Sequence, residues 1–402
     1  MDAMKTVTKE AARNFLVSYH NLNETQGFIG SEGVLKCFER TRSIQYDPLN
    51  VVGRNADLVL QGKVKGYKPP ILHELLYEKK ELVDGFDKEM CIYLSEEFQW
   101  FSRIRALAGE RVKMNLTNRR QMEALNILDE VRSHIREHGK TGTKDISIGK
   151  TEKGGWGHSK LSSAALDYLY TIGELCVAEK RGTQKYFDFI ENVLPRKVLQ
   201  RDSILNDRDF IDWYVKRRIQ SVGFLWNRRG GAWQGHYLSD PEIRSESLNR
   251  LCEKGQLSMF SIEEIEFPFY MAPEDEVFFD TVASEKHVKF LAPLDNVLWD
   301  REMVANIFNF EYSWEVYIPV EKRKYGYYVL PVLYGNDIIA RFEPVKTNKG
   351  DPLTIKNWWW ESGVKVTEAL LGKMDRAIQK FAEYLSVPYQ DTYREVLTKR
   401  RG

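Results

Sequence analysis

No stretch of this 402-residue sequence approaches the roughly 18 consecutive apolar residues that a membrane span needs. The start, Met1-Asp2-Ala3-Met4-Lys5, lacks the apolar run of a secretory signal, so a cytoplasmic protein is expected. Cysteine is scarce. Cys37, Cys91, Cys176 and Cys252 lie far apart and form no CxxC pair. That excludes zinc-finger spacing, speaks against a disulfide framework and leaves buried, reduced thiols. Net charge is nearly absent, with 59 Lys+Arg against 58 Asp+Glu. A chain basic throughout is excluded, but local basic patches are not. HExxH, GxSxG and kinase signatures are missing, and Gly154-Gly155-Trp156-Gly157 lacks the Lys-Ser/Thr ending of a P-loop. His134 and His138 sit four apart on a helix with no third metal ligand in view.

What is present reads as a folded, multi-domain protein. Hydrophobic residues make up 43% and charged residues 29%, a composition that can build cores. The periodicity predicts helices from Thr8 as N-cap through Tyr19, from Ser31 as cap through Phe38, and around Ala56–Leu60 and Ile71–Glu81. Ser43–Pro48 reads as a short extended piece and Met90–Leu94 as a strand. Met122, Leu125, Leu128, Val131 and Ile135 predict one long helix over Asn118–His138. A short turn or helix at Lys144–Ile148, a helix over Ser159–Ile172 and strands at Leu175–Lys180 and Lys185–Ile190 follow. Helix, short helix, helix, hairpin is the order of a winged helix-turn-helix unit. A similar order recurs at Arg208–Val222, Pro241–Glu253, Leu257–Phe260 and Phe267–Met271. Further on, Trp314–Pro319 reads as β-rich, and Tyr325–Tyr334 with Ile338–Glu343 as a hairpin. Pro331 places its strand at an edge or at a bulge. Trp358-Trp359-Trp360 reads as core packing ahead of a terminal helix, Glu368–Leu385. The expected architecture is α+β, with tandem winged helix-turn-helix motifs and a C-terminal β-rich domain. The units are drawn at residues 1–105, 106–200, 201–275 and 276–402.

Basic residues crowd several segments, and such patches supply salt-sensitive, sequence-independent affinity for a phosphate backbone. The candidate DNA contacts are Arg119, Arg120, Lys160, Arg217, Arg218, Lys322, Arg323 and Lys324. A solvated, ion-paired face is the alternative for any one of them. Gln45 and Asp47 form the sharpest catalytic candidate. Two apart on an extended segment, they can face one ligand while Tyr46 faces away. A carboxylate can stabilise a developing cation or deprotonate water, and an amide can hold that water. Asp47-Pro48 also fits a helix N-cap with proline at the first helical position.

Ile44-Gln45-Tyr46-Asp47-Pro48-Leu49-Asn50-Val51-Val52 resembles the winged-helix, crosslink-repair DNA glycosylases of the AlkZ/YcaQ family. So do Leu75-Leu76-Tyr77-Glu78, Gly173-Glu174-Leu175 through Asn192-Val193-Leu194-Pro195, and Leu291-Ala292-Pro293-Leu294-Asp295 with Leu298-Trp299-Asp300-Arg301. The most specific block runs from Glu315-Val316-Tyr317-Ile318-Pro319 through Lys322-Arg323-Lys324-Tyr325-Gly326-Tyr327-Tyr328. The resemblance spans nearly the whole chain. It implies tandem winged helices with a β-rich C-terminal domain around a DNA-binding concavity. It also implies hydrolysis of the N-glycosidic bond of alkylated purines, including those joined in interstrand crosslinks, by a monofunctional, monomeric enzyme without metal or organic cofactor. The family's Gln-x-Gln or Gln-x-Asp motif falls on Gln45 and Asp47. Asp in the second place is similar to the broader-range branch, which favours simple N7-alkyl lesions and mustard-type crosslinks. A non-catalytic winged-helix regulator and a protein-interaction scaffold are the competing readings.

Overall fold

The computed structural model describes residues 4–118, 122–146, 148, 161–202, 204, 206–281, 285–345, 350–390 and 393–398. The architecture is α+β. The chain divides into two units, Met1–Leu72 with Ile211–Gly402, and His73–Phe210. No helix among the described residues is long and apolar enough to cross a membrane.

In the first unit, the Thr8 hydroxyl accepts the Ala11 N–H at 3.0 Å and starts the helix Lys9–Tyr19, which buries Phe15, Leu16 and Tyr19. The next helix, Gly30–Thr41, begins one residue ahead of Ser31. Ser31 therefore lies in the first turn and does not cap it. Asp240 caps the helix Pro241–Glu253 by accepting from the N–H groups of Glu242 and Ile243, with Pro241 where no donor is needed.

Four strands form one sheet in the order Lys5–Val7, Ser258–Ile262, Phe269–Met271, Phe224–Trp226. The first pair is parallel and the rest antiparallel. Phe224, Phe260 and Phe269 meet Phe15 and Phe279 in an aromatic core, with ring centroids 4.8–5.7 Å apart. Each fully buried phenylalanine contributes on the order of 2–3 kcal/mol.

A second, wholly antiparallel sheet runs Val288–Phe290, Leu330–Tyr334, Asp337–Val345, Thr354–Trp360. Pro331 lies in an interior strand, where its carbonyl accepts the Leu291 N–H at 2.9 Å. The missing N–H is accommodated next to a bulge at Val332/Leu333. The tryptophan triplet is the end of a strand, and Trp358 stacks on Phe342. The terminal helix Glu368–Leu385 buries Leu370, Leu371, Met374, Ile378 and Phe381, the stripe expected for it, and Phe381 meets Phe290 edge-on.

Trp314–Pro319 is not a strand. The chain makes single turns at Glu315–Tyr317 and Val320–Lys322. The cause is Glu315, whose carboxylate accepts the backbone N–H groups of Lys324, Tyr325 and Gly326 and folds the segment back on itself.

In the second unit, Leu82–Phe86 pairs with Met90–Leu94. The helix Leu128–His138, the short strand Thr141–Gly142, the helix Leu161–Thr171 and the hairpin Leu175–Arg181/Gln184–Phe189 share one core of Val131, Ile135, Leu166, Leu169, Val177 and Phe187. The continuous helix expected over Asn118–His138 is interrupted. One helix ends at Asn118, a tight turn spans Met122–Leu125, and a new helix starts at Leu128. Met122 is exposed, so the apolar stripe does not continue inward there. Asp84, buried, takes the Lys180 ammonium and the Tyr77 hydroxyl.

Candidate active site

The segment with Gln45 and Asp47 belongs to the first unit. The helix Gly30–Thr41 ends at Arg42, whose φ of 60° turns the chain into the buried strand Ser43–Gln45. Two asparagine side chains hold this strand. The Asn296 carboxamide donates to the Ser43 carbonyl at 2.8 Å and to the Ser221 carbonyl at 2.9 Å. The Asn55 carboxamide donates to the Gln45 carbonyl at 2.8 Å and accepts the Leu294 N–H at 3.0 Å. Both amides are buried, so each bond is made without competition from water.

Gln45 closes the strand with 9% of its surface exposed, and Asp47, two residues on, is half-buried. Asp47 is not a helix cap. The following helix is Asn55–Lys63, with Arg54 at its N-cap. Instead the Asp47 Oδ1 accepts the Leu49 N–H at 2.8 Å, a two-residue side-chain turn. The loop ends at Gly53, held by the Asn50 Oδ1 at 3.0 Å. Its φ of +120° suits glycine, and a Cβ there would lie 3.2 Å from Leu58 and 3.4 Å from the Tyr384 hydroxyl.

Burial raises the Asp47 carboxyl above its ordinary range, opposed by the Leu49 N–H. No cation takes part in that balance among the described residues. Tyr328 lies buried close enough for the two groups to interact. Burial first, then Tyr312 and Asp47, push its phenol well up, so it stays protonated. Tyr67 donates to the buried Asp57 Oδ1 at 2.5 Å, and Asp57 in turn raises the Tyr384 phenol after burial. A carboxylate with no counter-ion among the described residues can stabilise a positive charge arriving from outside.

The AlkZ-like family model, described as DNA glycosylase AlkZ-like, matches residues 38–384 and so includes this segment. The chain belongs to the AlkZ-like DNA glycosylase family. Among solved structures it is similar to Streptomyces sahachiroi DNA glycosylase AlkZ, at a TM-score of 0.64 and 11% identity, over 96% of this chain and 98% of that one. At that identity the likeness is one of fold. Family membership supports a DNA glycosylase role.

For this AlkZ-like glycosylase the basic candidates separate. Lys322 and Lys324 are exposed. Arg323 is half-buried, donates to the Ile318 carbonyl at 2.8 Å and lies over the Tyr327 ring. Arg217 and Arg218 are 1% and 0% exposed. Arg217 donates to the Arg42 carbonyl at 2.9 Å and Arg218 to the Gln234 carbonyl at 2.8 Å. These two guanidiniums satisfy interior carbonyls and do not reach a phosphate, which corrects their expected role. Arg119, Arg120 and Lys160 lie outside the described residues. His134 and His138 stack with ring centroids 4.3 Å apart, and no group of three metal-ligating side chains occurs among the described residues. Sequence reasoning missed Asn55, Asn296 and Tyr328 as supports of the site. Tyr328 stood inside a recognised block, whereas the two asparagines carried no local signal.

Proposed function

We propose that this glycosylase hydrolyses the N-glycosidic bond of N7-alkylated purines in duplex DNA and unhooks interstrand crosslinks, with Gln45 and Asp47 as catalytic residues. The observation that carries this reading is Asp47, half-buried, oriented by one backbone N–H and with no cation acting on it among the described residues. Alkylation at N7 leaves the purine cationic, so it departs with the C1′–N9 electron pair and needs no general acid. The sugar becomes oxocarbenium-like. The Asp47 carboxylate stabilises that cation and takes a proton from the water that attacks C1′, while Gln45 holds the water. The products are free alkylbase and an abasic site. The reaction is monofunctional, since no amine attacks the sugar. The helix–helix–hairpin unit of Leu128–Phe189 is read as a winged helix that grips the duplex, with exposed Lys322 and Lys324 on phosphates.

The test is release of free base from a duplex with one N7-methylguanine, and conversion of a mustard-crosslinked duplex to separable strands. Release from neither substrate would overturn the proposal. A chain that instead selects one undamaged sequence far above random DNA would be a regulator.

A further inference from the structure

A cleft of about 700 Å³ opens in the first unit, between one face of the helix Glu368–Leu385, the strand Val288–Phe290 and residues 21–29 and 64–67. Neither Gln45 nor Asp47 lines it. Seven lysine and arginine side chains line it against three carboxylates. Lys373, Arg376 and Lys380 follow at spacings of three and four and so share one helix face, with the small Ala377 among them. Across the cleft the largely buried Lys289 ammonium donates to the Glu24 Oε1 at 2.7 Å, and the His287 Nδ1 lies 4.0 Å from the same oxygen. Burial pushes the Lys289 ammonium down, Glu24 opposes this and Lys380 adds to it. Lys63 is committed to Asp295. Lys65, Lys286, Lys373, Arg376 and Lys380 form no ion pair among the described residues. One wall is fixed by the main chain. The Gly30 N–H donates to the Lys65 carbonyl at 3.0 Å, the Lys65 N–H to the Phe28 carbonyl at 2.8 Å, and the Asn21 carboxamide to the Lys63 carbonyl at 2.7 Å.

Like charges gathered around one hollow repel, and an anion placed between them turns that repulsion into attraction. With Lys63 set against Asp295, six cations face three carboxylates, an excess of three positive charges. That excess matches a short oligophosphate. The volume falls within the range of about 300–1,000 Å³ typical of small-molecule sites, so a lone phosphate would leave most of the cleft empty. A duplex fits poorly, because its phosphates are strung along a convex ridge, whereas these cations converge on a hollow from opposite walls. We propose that the cleft binds a compact di- or triphosphate, bare or as the tail of a nucleotide, between Lys289 and the Lys373–Arg376–Lys380 face. Ile29, 60% exposed, and Tyr384 form an apolar rim on which the base of a nucleotide would rest. The proposal goes beyond the glycosylase reading and does not depend on it.

The experiment is calorimetric titration of the full chain, at physiological ionic strength, with inorganic tripolyphosphate, ATP and orthophosphate in separate arms. The test variant is Arg376→Gln/Lys380→Gln, whose side chains are exposed and unneeded for folding. The control, Lys5→Gln/Lys36→Gln, removes the same charge from exposed ion pairs elsewhere on the unit. The expected result is saturable one-to-one binding of tripolyphosphate, ATP or both, at least about tenfold tighter than orthophosphate. The test variant should bind about tenfold or more weakly, and the control should change by less than about twofold. ATP binding tighter than tripolyphosphate assigns the ligand to nucleotides, and equal or weaker ATP binding assigns it to the bare phosphate chain. Absence of saturable binding, orthophosphate binding as tightly, an unchanged test variant, or equal losses in both variants would overturn the site. Displacement of bound tripolyphosphate by an equimolar undamaged duplex would also overturn it, since the cleft would then be part of the DNA surface.

Discussion

Asp47→Asn is the substitution that separates a catalytic carboxylate from a turn-former. Asparagine keeps the oxygen that accepts the Leu49 N–H at 2.8 Å, so the side-chain turn survives. What disappears is the negative charge. A sugar cation about 4 Å from that carboxylate, at an effective dielectric of about 20, interacts by about 4 kcal/mol, or roughly a thousandfold in rate. Loss of proton acceptance from water adds to this. The assay is single-turnover release of N7-methylguanine from duplex DNA, with affinity for the same duplex measured in parallel. The rate should fall by about a thousandfold or more, with affinity changed by less than about threefold. Because burial raises the Asp47 carboxyl, wild-type activity should be lost on acidification at a pH above that of an ordinary aspartate, and the variant's residual rate should lack that limb. Folding should not suffer at neutral pH, since a raised carboxyl means the ionised form is disfavoured in the folded state. A variant that releases base at the wild-type rate would refute the reasoning and reduce Asp47 to its turn.

Further outcomes follow from the same geometry. Gln45→Ala should slow base release by about a hundredfold in the same assay, the scale of one lost positioning group, while its main-chain bond to Asn55 persists. Lys63 is fully buried, 3.0 Å from Asp295 and 3.1 Å from the ring of His20, which burial keeps neutral. Lys63→Met should cost about 3–5 kcal/mol in denaturant unfolding, and adding Asp295→Asn should recover part of it. Asp275 is raised to about 6, chiefly by burial, with Arg40 opposing. Its folded form holds a proton that the unfolded chain releases near pH 3.9, so it contributes stability below that pH that is lost as pH rises through about 6. Asp275→Asn should therefore be more stable than wild type at pH 8, by on the order of 3 kcal/mol, with the advantage gone by about pH 4. Replacing Lys322 and Lys324 together by glutamine should lower the dependence of log affinity on log salt by roughly two.

Local rules carried much of this fold because the deciding residues were neighbours. Thr8 and Asp240 cap helices through N–H groups two or three residues on. The hairpin turn before Asp337 and the stripe of Glu368–Leu385 are likewise local. Failures came where the decisive partner was remote. Nothing near Glu315 says that its carboxylate will gather N–H groups 9–11 residues away, so the segment looked like a strand. The stripe from Met122 to Ile135 kept helical spacing, but a small separate cluster of Leu116, Ala124 and Leu161 breaks the chain's course there. Arg217 and Arg218 looked like a surface patch because the carbonyls they satisfy, at Arg42, Ala232 and Gln234, are distant in sequence. Gln45 and Asp47 were legible as residue types and as part of a recognised block. That a strand ended between them, and that asparagines 55 and 296 would hold it, was not.

This protein compensates its other buried acids more fully than Asp47: Glu315 takes three backbone N–H groups and Asp57 the Tyr67 hydroxyl. Asp295 pairs with Lys63, Asp84 with Lys180, and Asp212 with Arg250 and Lys254. Asp275 is raised by burial yet has Arg40, Arg42 and Lys216 acting on it, and Asp167 has Lys185. Asp300 is raised without a cation but starts a helix through the Met303 N–H and takes the Trp226 indole, a structural post. Asp47 has one backbone N–H, starts no helix and has no cation acting on it among the described residues. Desolvating a carboxylate with a single N–H to offset it is a cost that folding alone does not ask for, and Asn would hold the same turn without it. A charge kept half-buried, with no cation acting on it among the described residues, at the end of a strand fixed from both sides, is the arrangement that the proposed stabilisation of a transient cation requires.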